Sequence, residues 1–210
     1  GKFYIKTNAD GAVDFKIMST NYDKPGRENW TDVATPDAGV LLLSVQATKR
    51  HLVRTERENG LPRIVITSLG EDGSLSDHEI TFPEAAYDID AISGYAFDTD
   101  NLRMIYASPS TPDQTFDYNM ETRERMLRKT REVPSGHNAD DYVVERIMAP
   151  AHDGETIPVT ILRHKDTPVD GSAPLLLYGY GSYGHTISAD FRTSRLSLVD
   201  RGFIYAVAHI

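Results

Sequence analysis

The sequence contains no cysteine. That excludes a disulfide framework, a thiolate zinc site and a cysteine nucleophile from this chain, and it fits a reducing compartment, the cytoplasm. No apolar run approaches the roughly 18 residues needed to cross a bilayer, so no membrane partner is expected. Positive charge is scarce, with Lys+Arg at 22 against Asp+Glu at 31 and a formal net charge of -9. A nucleic-acid surface is therefore disfavoured. The seven histidines, His51, His78, His137, His152, His164, His185 and His209, show neither H-x-H nor H-E-x-x-H spacing, so no metal or cofactor is signalled. G-x-S-x-G, the nucleophile elbow of hydrolases, is also missing. No signal-peptide pattern opens the chain. Ala206-Val207-Ala208-His209-Ile210 lies within an apolar run, which leads us to expect a piece of a longer polypeptide.

Apolar residues make up 40% of the chain and charged residues 25%, the proportions of a protein with a sizeable core. Over residues 1–134 the hydrophobic period is mostly two. Phe3-Tyr4-Ile5 precedes a turn at Asn8-Ala9-Asp10-Gly11, after which Val13, Phe15 and Ile17 alternate. Residues 21–37 read as a polar loop holding the only tryptophan, Trp30. A buried strand is expected over 40–45 and a more exposed one over 51–56. Asn59-Gly60 then turns the chain into a strand at 63–67, and Asp72-Gly73 turns it again toward 78–82. Further strands are expected over 91–97, with Tyr95 and Phe97 in alternation, and over 103–107, 115–119 and 126–128. Sets of four short strands about 50 residues apart predict two to three β-propeller blades; a β-sandwich is the alternative.

Composition changes at Val133-Pro134-Ser135-Gly136, giving a predicted boundary between residues 1–136 and 137–210. The second part reads as a hairpin (142–148 and 156–162), a strand (175–178), a Gly-rich loop, a helix (190–200) and a strand (203–208). Phe191, Arg195 and Leu198 would share one helix face, with Leu196 and Val199 beside it, and Gly202 would stop the helix. A hairpin entering a parallel sheet is how an α/β-hydrolase domain begins.

The loop Tyr178-Gly179-Tyr180-Gly181-Ser182-Tyr183-Gly184 supports two chemistries. Gly179, Gly181 and Gly184 spell G-x-G-x-x-G, the dinucleotide fingerprint, but residues 185–189 separate the last glycine from the helix. Alternatively, a phenol held at a strand end donates a hydrogen bond to a developing oxyanion. The plainer role for such a tyrosine is packing, with its hydroxyl on a backbone carbonyl.

The loop, followed by Ser194-Arg195-Leu196-Ser197-Leu198 and Asp200-Arg201-Gly202-Phe203, resembles the prolyl oligopeptidase family of serine peptidases, in particular its oligopeptidase B branch. Ile80-Thr81-Phe82-Pro83-Glu84, Leu102-Arg103, Tyr106-Ala107-Ser108 and Asp153-Gly154 agree. The resemblance implies a β-propeller over an α/β-hydrolase domain, this chain holding the C-terminal part of the first (1–136) and the N-terminal part of the second (137–210). It implies Tyr180 as oxyanion-hole donor and Tyr183 as an aromatic lining the substrate site. The family's acid-small-acid triplet, which binds a basic residue, falls on Ser188-Ala189-Asp190; Asp190 keeps its carboxylate and Ser188 departs from the pattern. Helix N-capping is an equally good role for both. The implied activity is cleavage of short basic peptides after arginine or lysine, with the nucleophile and triad in the remainder of the same polypeptide and this piece inert alone. A non-catalytic propeller module that binds partners is the other reading.

Overall fold

The computed structural model describes residues 1–92, 94 and 96–210. Three antiparallel meanders come first. β1 (Lys2–Thr7), β2 (Lys16–Asn21) and β3 (Thr31–Ala34) form a three-stranded sheet. β4 (Val40–Ala47), β5 (His51–Glu58), β6 (Leu61–Leu69) and β7 (Leu75–Glu79) form the second, in sequence order. β8 (Asp88–Ile92), β9 (Asn101–Ala107), β10 (Gln114–Asn119) and β11 (Arg125–Thr130) form the third. Consecutive strands pair throughout, the form expected of propeller blades. Among the described residues no helix is long and apolar enough to cross a membrane.

The turn dipeptides act as expected. Asn59 (φ 50) and Gly60 (φ 80) are both left-handed and join the paired Glu58 and Leu61, a two-residue type I′ hairpin. The second and third sheets then pack face on face. Val53, Ile64 and Ile66 from one meet Ile89, Leu102, Met104 and Tyr118 from the other, with Ile80 and Met120 between. Each such side chain fully removed from water contributes about 1.5–3 kcal/mol.

Several expectations are corrected. Val13 and Phe15 do not alternate into a strand: Phe15 has φ 69, Val13 is exposed, and β2 begins at Lys16. The loop around Trp30 contains β3, a four-residue edge strand too short and too polar to show a period. Residues 51–56 are buried, not exposed, because β5 is an inner strand of its sheet. Its charges are admitted in pairs: Arg54 bridges Glu56 (3.0 Å) and Asp77 (2.8 Å), and Arg63 bridges Glu56 (2.8 Å). The strand expected at 78–82 runs instead as β7, and that expected at 91–97 runs as β8; Phe97 is exposed, and Tyr95 lies outside the described residues.

The fourth sheet is mixed, in the order β12-β13-β15-β14. β12 (Tyr142–Pro150) and β13 (Thr156–His164) are the expected hairpin. β14 (Leu175–Gly179) runs parallel to β15 (Ile204–Ala208), with the helix α1 (Thr193–Val199) between them in sequence. α1 is shorter than expected, starting at Thr193 after an extended Arg192 (φ -140, ψ 118), and it buries Arg195, Leu196 and Val199, with Leu198 half-buried. The Gly202 N–H bonds the Val199 carbonyl and the Phe203 N–H the Leu198 carbonyl, closing the helix as the sequence suggested. Leu175 and Leu177 on the edge strand β14 are exposed. Four strands and one helix of seven residues fall short of a complete doubly wound domain.

Candidate functional site

The Gly-rich loop leaves the end of β14, where Gly179 is paired with Ala208. Gly181 then passes so close to the last residue that a β-carbon there would lie 2.5 Å from the Ile210 carbonyl carbon and oxygen. Glycine is the only residue that fits that approach without displacing backbone. Ser182 to His185 form a turn closed by the His185 N–H on the Ser182 carbonyl at 3.1 Å. Its central residues, Tyr183 (φ 58) and Gly184 (φ 71), are both left-handed. The glycines therefore bend the chain, and α1 starts at Thr193, too far on for its amides to form a phosphate cradle with them.

Tyr180 follows β14 directly. Its side chain is 41% exposed, and its hydroxyl has no hydrogen-bond partner among the described residues. No backbone carbonyl among the described residues accepts from this phenol, which leaves the hydroxyl open to an external acceptor. Tyr183 is 93% exposed, projected from a backbone conformation that costs a bulky residue about 1–3 kcal/mol. The two tyrosines are thus presented by the same loop on its solvent side.

Beyond the turn, residues 185–192 have no regular secondary structure and meet the residue after β15 where His209 Nδ1 bonds the Ile187 carbonyl. Ala189 and Phe191 point inward, while Ser188 is exposed and Asp190 half-buried. The Asp190 carboxylate is held by Arg192 at 2.9 Å and by the buried Arg195 at 2.8 Å. The Arg195 guanidinium also lies 5.3 Å from the centre of the Tyr205 ring. Neither Ser188 nor Asp190 caps the helix, whose N-cap is Arg192 with no side-chain hydrogen bond.

Sequence reasoning missed Asp88, at the start of β8. Ser188 and Asp190 are its neighbours, and Asp190 lies near enough to repel it. Burial first, and then Asp190, push the Asp88 carboxyl above the usual range. A residue 100 positions from Ser188 gives no local sequence signal of this neighbour. Arg146 on β12 was missed for the same reason. Burial lowers its pKa, and its Nε and Nη2 have no hydrogen-bond partner among the described residues.

His209 is a satisfied core residue. Its Nδ1 lies 2.9 Å from the Ile187 carbonyl, so Nδ1 carries the proton, and Nε2 accepts from the Thr160 hydroxyl at 2.7 Å. Burial pushes its pKa down. It is fixed as a strut beneath the loop segment.

A family model described as the prolyl oligopeptidase N-terminal beta-propeller domain matches residues 1–131. Dipeptidyl aminopeptidase BI of Pseudoxanthomonas mexicana is 40% identical over 210 residues, which is 100% of this chain and 28% of the relative. Protease 2 of Moraxella lacunata is 31% identical over 206 residues, 98% of this chain and 29% of the relative. Among solved structures, oligopeptidase B from Trypanosoma brucei with covalently bound antipain, in its closed form, superposes with a TM-score of 0.91 at 31% identity, covering 99% of this chain and 30% of that one. Oligopeptidase B from Leishmania major gives 0.89 at 30% identity, covering 100% and 30%. The chain thus spans under a third of the length of these relatives.

Proposed function

Because this chain belongs to the prolyl oligopeptidase family of serine peptidases, we propose that it is part of a cytoplasmic enzyme that hydrolyses short peptides after arginine or lysine through an acyl-enzyme. In this reading residues 1–136 are propeller blades that restrict access, and residues 137–210 begin the α/β-hydrolase domain. The parallel β14–β15 pair with a helix between its strands, entered from an antiparallel hairpin, supports that assignment.

The carrying observation is the free phenol of Tyr180. A serine from the rest of the polypeptide attacks the scissile carbonyl, and negative charge develops on its oxygen. The Tyr180 O–H donates to that oxygen. The donor is preorganised, because β14 and the close pass of Gly181 over Ile210 set the backbone that carries it. Tyr183 lines the substrate side together with Ser188 and Asp190; Asp190 is held by Arg192 and Arg195, so the carboxylate left to meet a basic group there is that of Asp88. In the intact enzyme, Tyr180→Phe is expected to lower kcat by about 10²–10³-fold with little change in KM, as for other oxyanion donors. An unchanged kcat removes Tyr180 from the mechanism. The 210-residue chain alone is expected to leave an arginyl chromogenic peptide uncleaved.

A second reading follows from the 40%-identical relative, whose name describes release of dipeptides from amino termini. The half-buried Asp88 carboxylate, with no cation at hydrogen-bonding distance among the described residues, favours it, since an α-ammonium group would complement that charge. An N-terminally blocked arginyl substrate separates the two. Cleavage supports the endopeptidase, and refusal of it with acceptance of the unblocked dipeptide supports the aminopeptidase.

A further inference from the structure

His51, at the start of β5, is wholly buried, yet its Nε2 has no hydrogen-bond partner among the described residues. The atom nevertheless lies 2.8 Å from Oε1 of Glu121, in the turn between β10 and β11. A contact that close without a hydrogen bond means that the oxygen sits beside the axis of the ring nitrogen rather than on it. Asp100, before β9, completes the group: its Oδ1 is 3.9 Å from the His51 Nδ1, and one donor atom from each of the three residues lies within 4.8 Å of the others.

Nδ1 faces the Thr48 hydroxyl at 3.5 Å, a group that can accept as well as donate; in the tautomer whose Nδ1–H donates to it, Nε2 turns its lone pair toward Glu121. A lone pair and a carboxylate oxygen at 2.8 Å repel each other unless a cation lies between them. A bridging proton requires a near-linear arrangement. A metal ion on the nitrogen axis places a second ligand to the side of that axis, as observed. One imidazole and two carboxylates are ligands suited to zinc and its neighbours. The Arg50 guanidinium, which holds Asp100 through Nε at 2.9 Å and Nη2 at 2.5 Å, opposes a cation here. Asp98 lies 3.5 Å from the same arginine and offsets part of its charge.

We propose that His51, Asp100 and Glu121 bind a divalent transition-metal ion of the zinc class, clasping the second sheet to the third. The ligands come from three segments, β5, the stretch before β9 and the β10–β11 turn, which is why histidine spacing carries no sign of them. The clasp lies at the opposite end of β5 from Gly60. At about 3.3 Å per residue, the eight residues of β5 put roughly 25 Å between the clasp and that hairpin tip, which packs against His209. The ion therefore acts on the blades and not on the loop that carries Tyr180.

The test is zinc chloride titrated into the intact, chelator-stripped polypeptide, followed by calorimetry, with the visible spectrum of cobalt(II) as a second readout. Replacing the wholly buried His51 endangers the fold, so Glu121→Gln, whose side chain is 52% exposed, is the deciding variant. The expected result is one zinc per chain lost, or bound at least about 10-fold more weakly, in Glu121→Gln, with kcat unchanged. Zinc at about 100 times its Kd should raise the Tm of the parent by about 5 °C and that of the variant by less. Absence of zinc binding by the parent, or equal affinity and equal cobalt spectra in parent and variant, overturns the proposal and leaves a proton-bridged pair.

Discussion

Gly60, at the tip of a hairpin in the second sheet, is packed against His209, at the end of β15 in the fourth: a β-carbon on Gly60 would fall 2.5 Å from the His209 Cβ. The same glycine has φ 80. An added methyl therefore meets two penalties, a left-handed backbone worth about 1–2 kcal/mol and an overlap worth about 1–3 kcal/mol. Gly73 has φ 85 and open space around it, so it carries the first penalty alone. Gly60→Ala is expected to destabilise by about 1–3 kcal/mol more than Gly73→Ala in urea unfolding. Equal losses would mean that the sheets do not meet at this point.

That contact also marks what the sequence could and could not disclose. Asn59-Gly60 announced a hairpin because its geometry is local, and Gly202 announced a helix end for the same reason. What Gly60 touches is 149 positions away, and no pattern reports it. β5 was misjudged because Arg54 and Glu56 look like surface residues; their burial is made tolerable only by Asp77 and Arg63 on neighbouring strands. The loop tyrosines stood out through their glycines, whereas Asp88, which faces the same segment, carried no local signal at all.

Asp88 offers a test with a defined sign. Its folded carboxyl titrates above the usual range, through burial and then through Asp190. The folded state therefore holds a proton that the unfolded state has already released, and the contribution of Asp88 to stability falls as pH rises from about 3.8 through its folded value. Asp88→Asn keeps a polar side chain of the same size and removes that dependence. Relative to the parent, the variant should gain stability at pH 7 and show a flatter profile as pH rises above about 4. In the intact enzyme it should lose about 10-fold in kcat/KM for a basic or amino-terminal substrate, with less effect on a neutral one. Uniform loss across substrates would assign Asp88 to structure alone.

Tyr183 occupies the first central position of the Ser182 to His185 turn, where asparagine or glycine is favoured. Its ring is 93% exposed, so removing it forfeits almost no packing. Tyr183→Asn is expected to stabilise by about 1 kcal/mol and to raise KM in the intact enzyme. Higher stability with an unchanged KM would detach the ring from substrate binding. A lower Tm would show that the ring is covered in the complete polypeptide.

His209 links the loop segment to the sheet through two hydrogen bonds, of which the one accepted at Nε2 requires the neutral ring. Nδ1–H donates to the Ile187 carbonyl, and the Thr160 hydroxyl donates to Nε2. Burial depresses the folded pKa below the ordinary 6.5. As pH falls through about 6.5 the unfolded ring takes up a proton that the folded ring refuses, so stability declines from there toward the folded value and is level above it. His78 is depressed for the same reason, burial, and contributes a slope of the same sign, so the measurement must be a difference. The parent should lose more stability between pH 7.5 and 5 than His209→Gln does. Thr160→Val leaves Nε2 buried without its donor, a loss of about 1–3 kcal/mol. It should also speed amide exchange in residues 185–190, because the Ile187 carbonyl is held by that ring. Exchange that rises only in the blades would place the strut elsewhere.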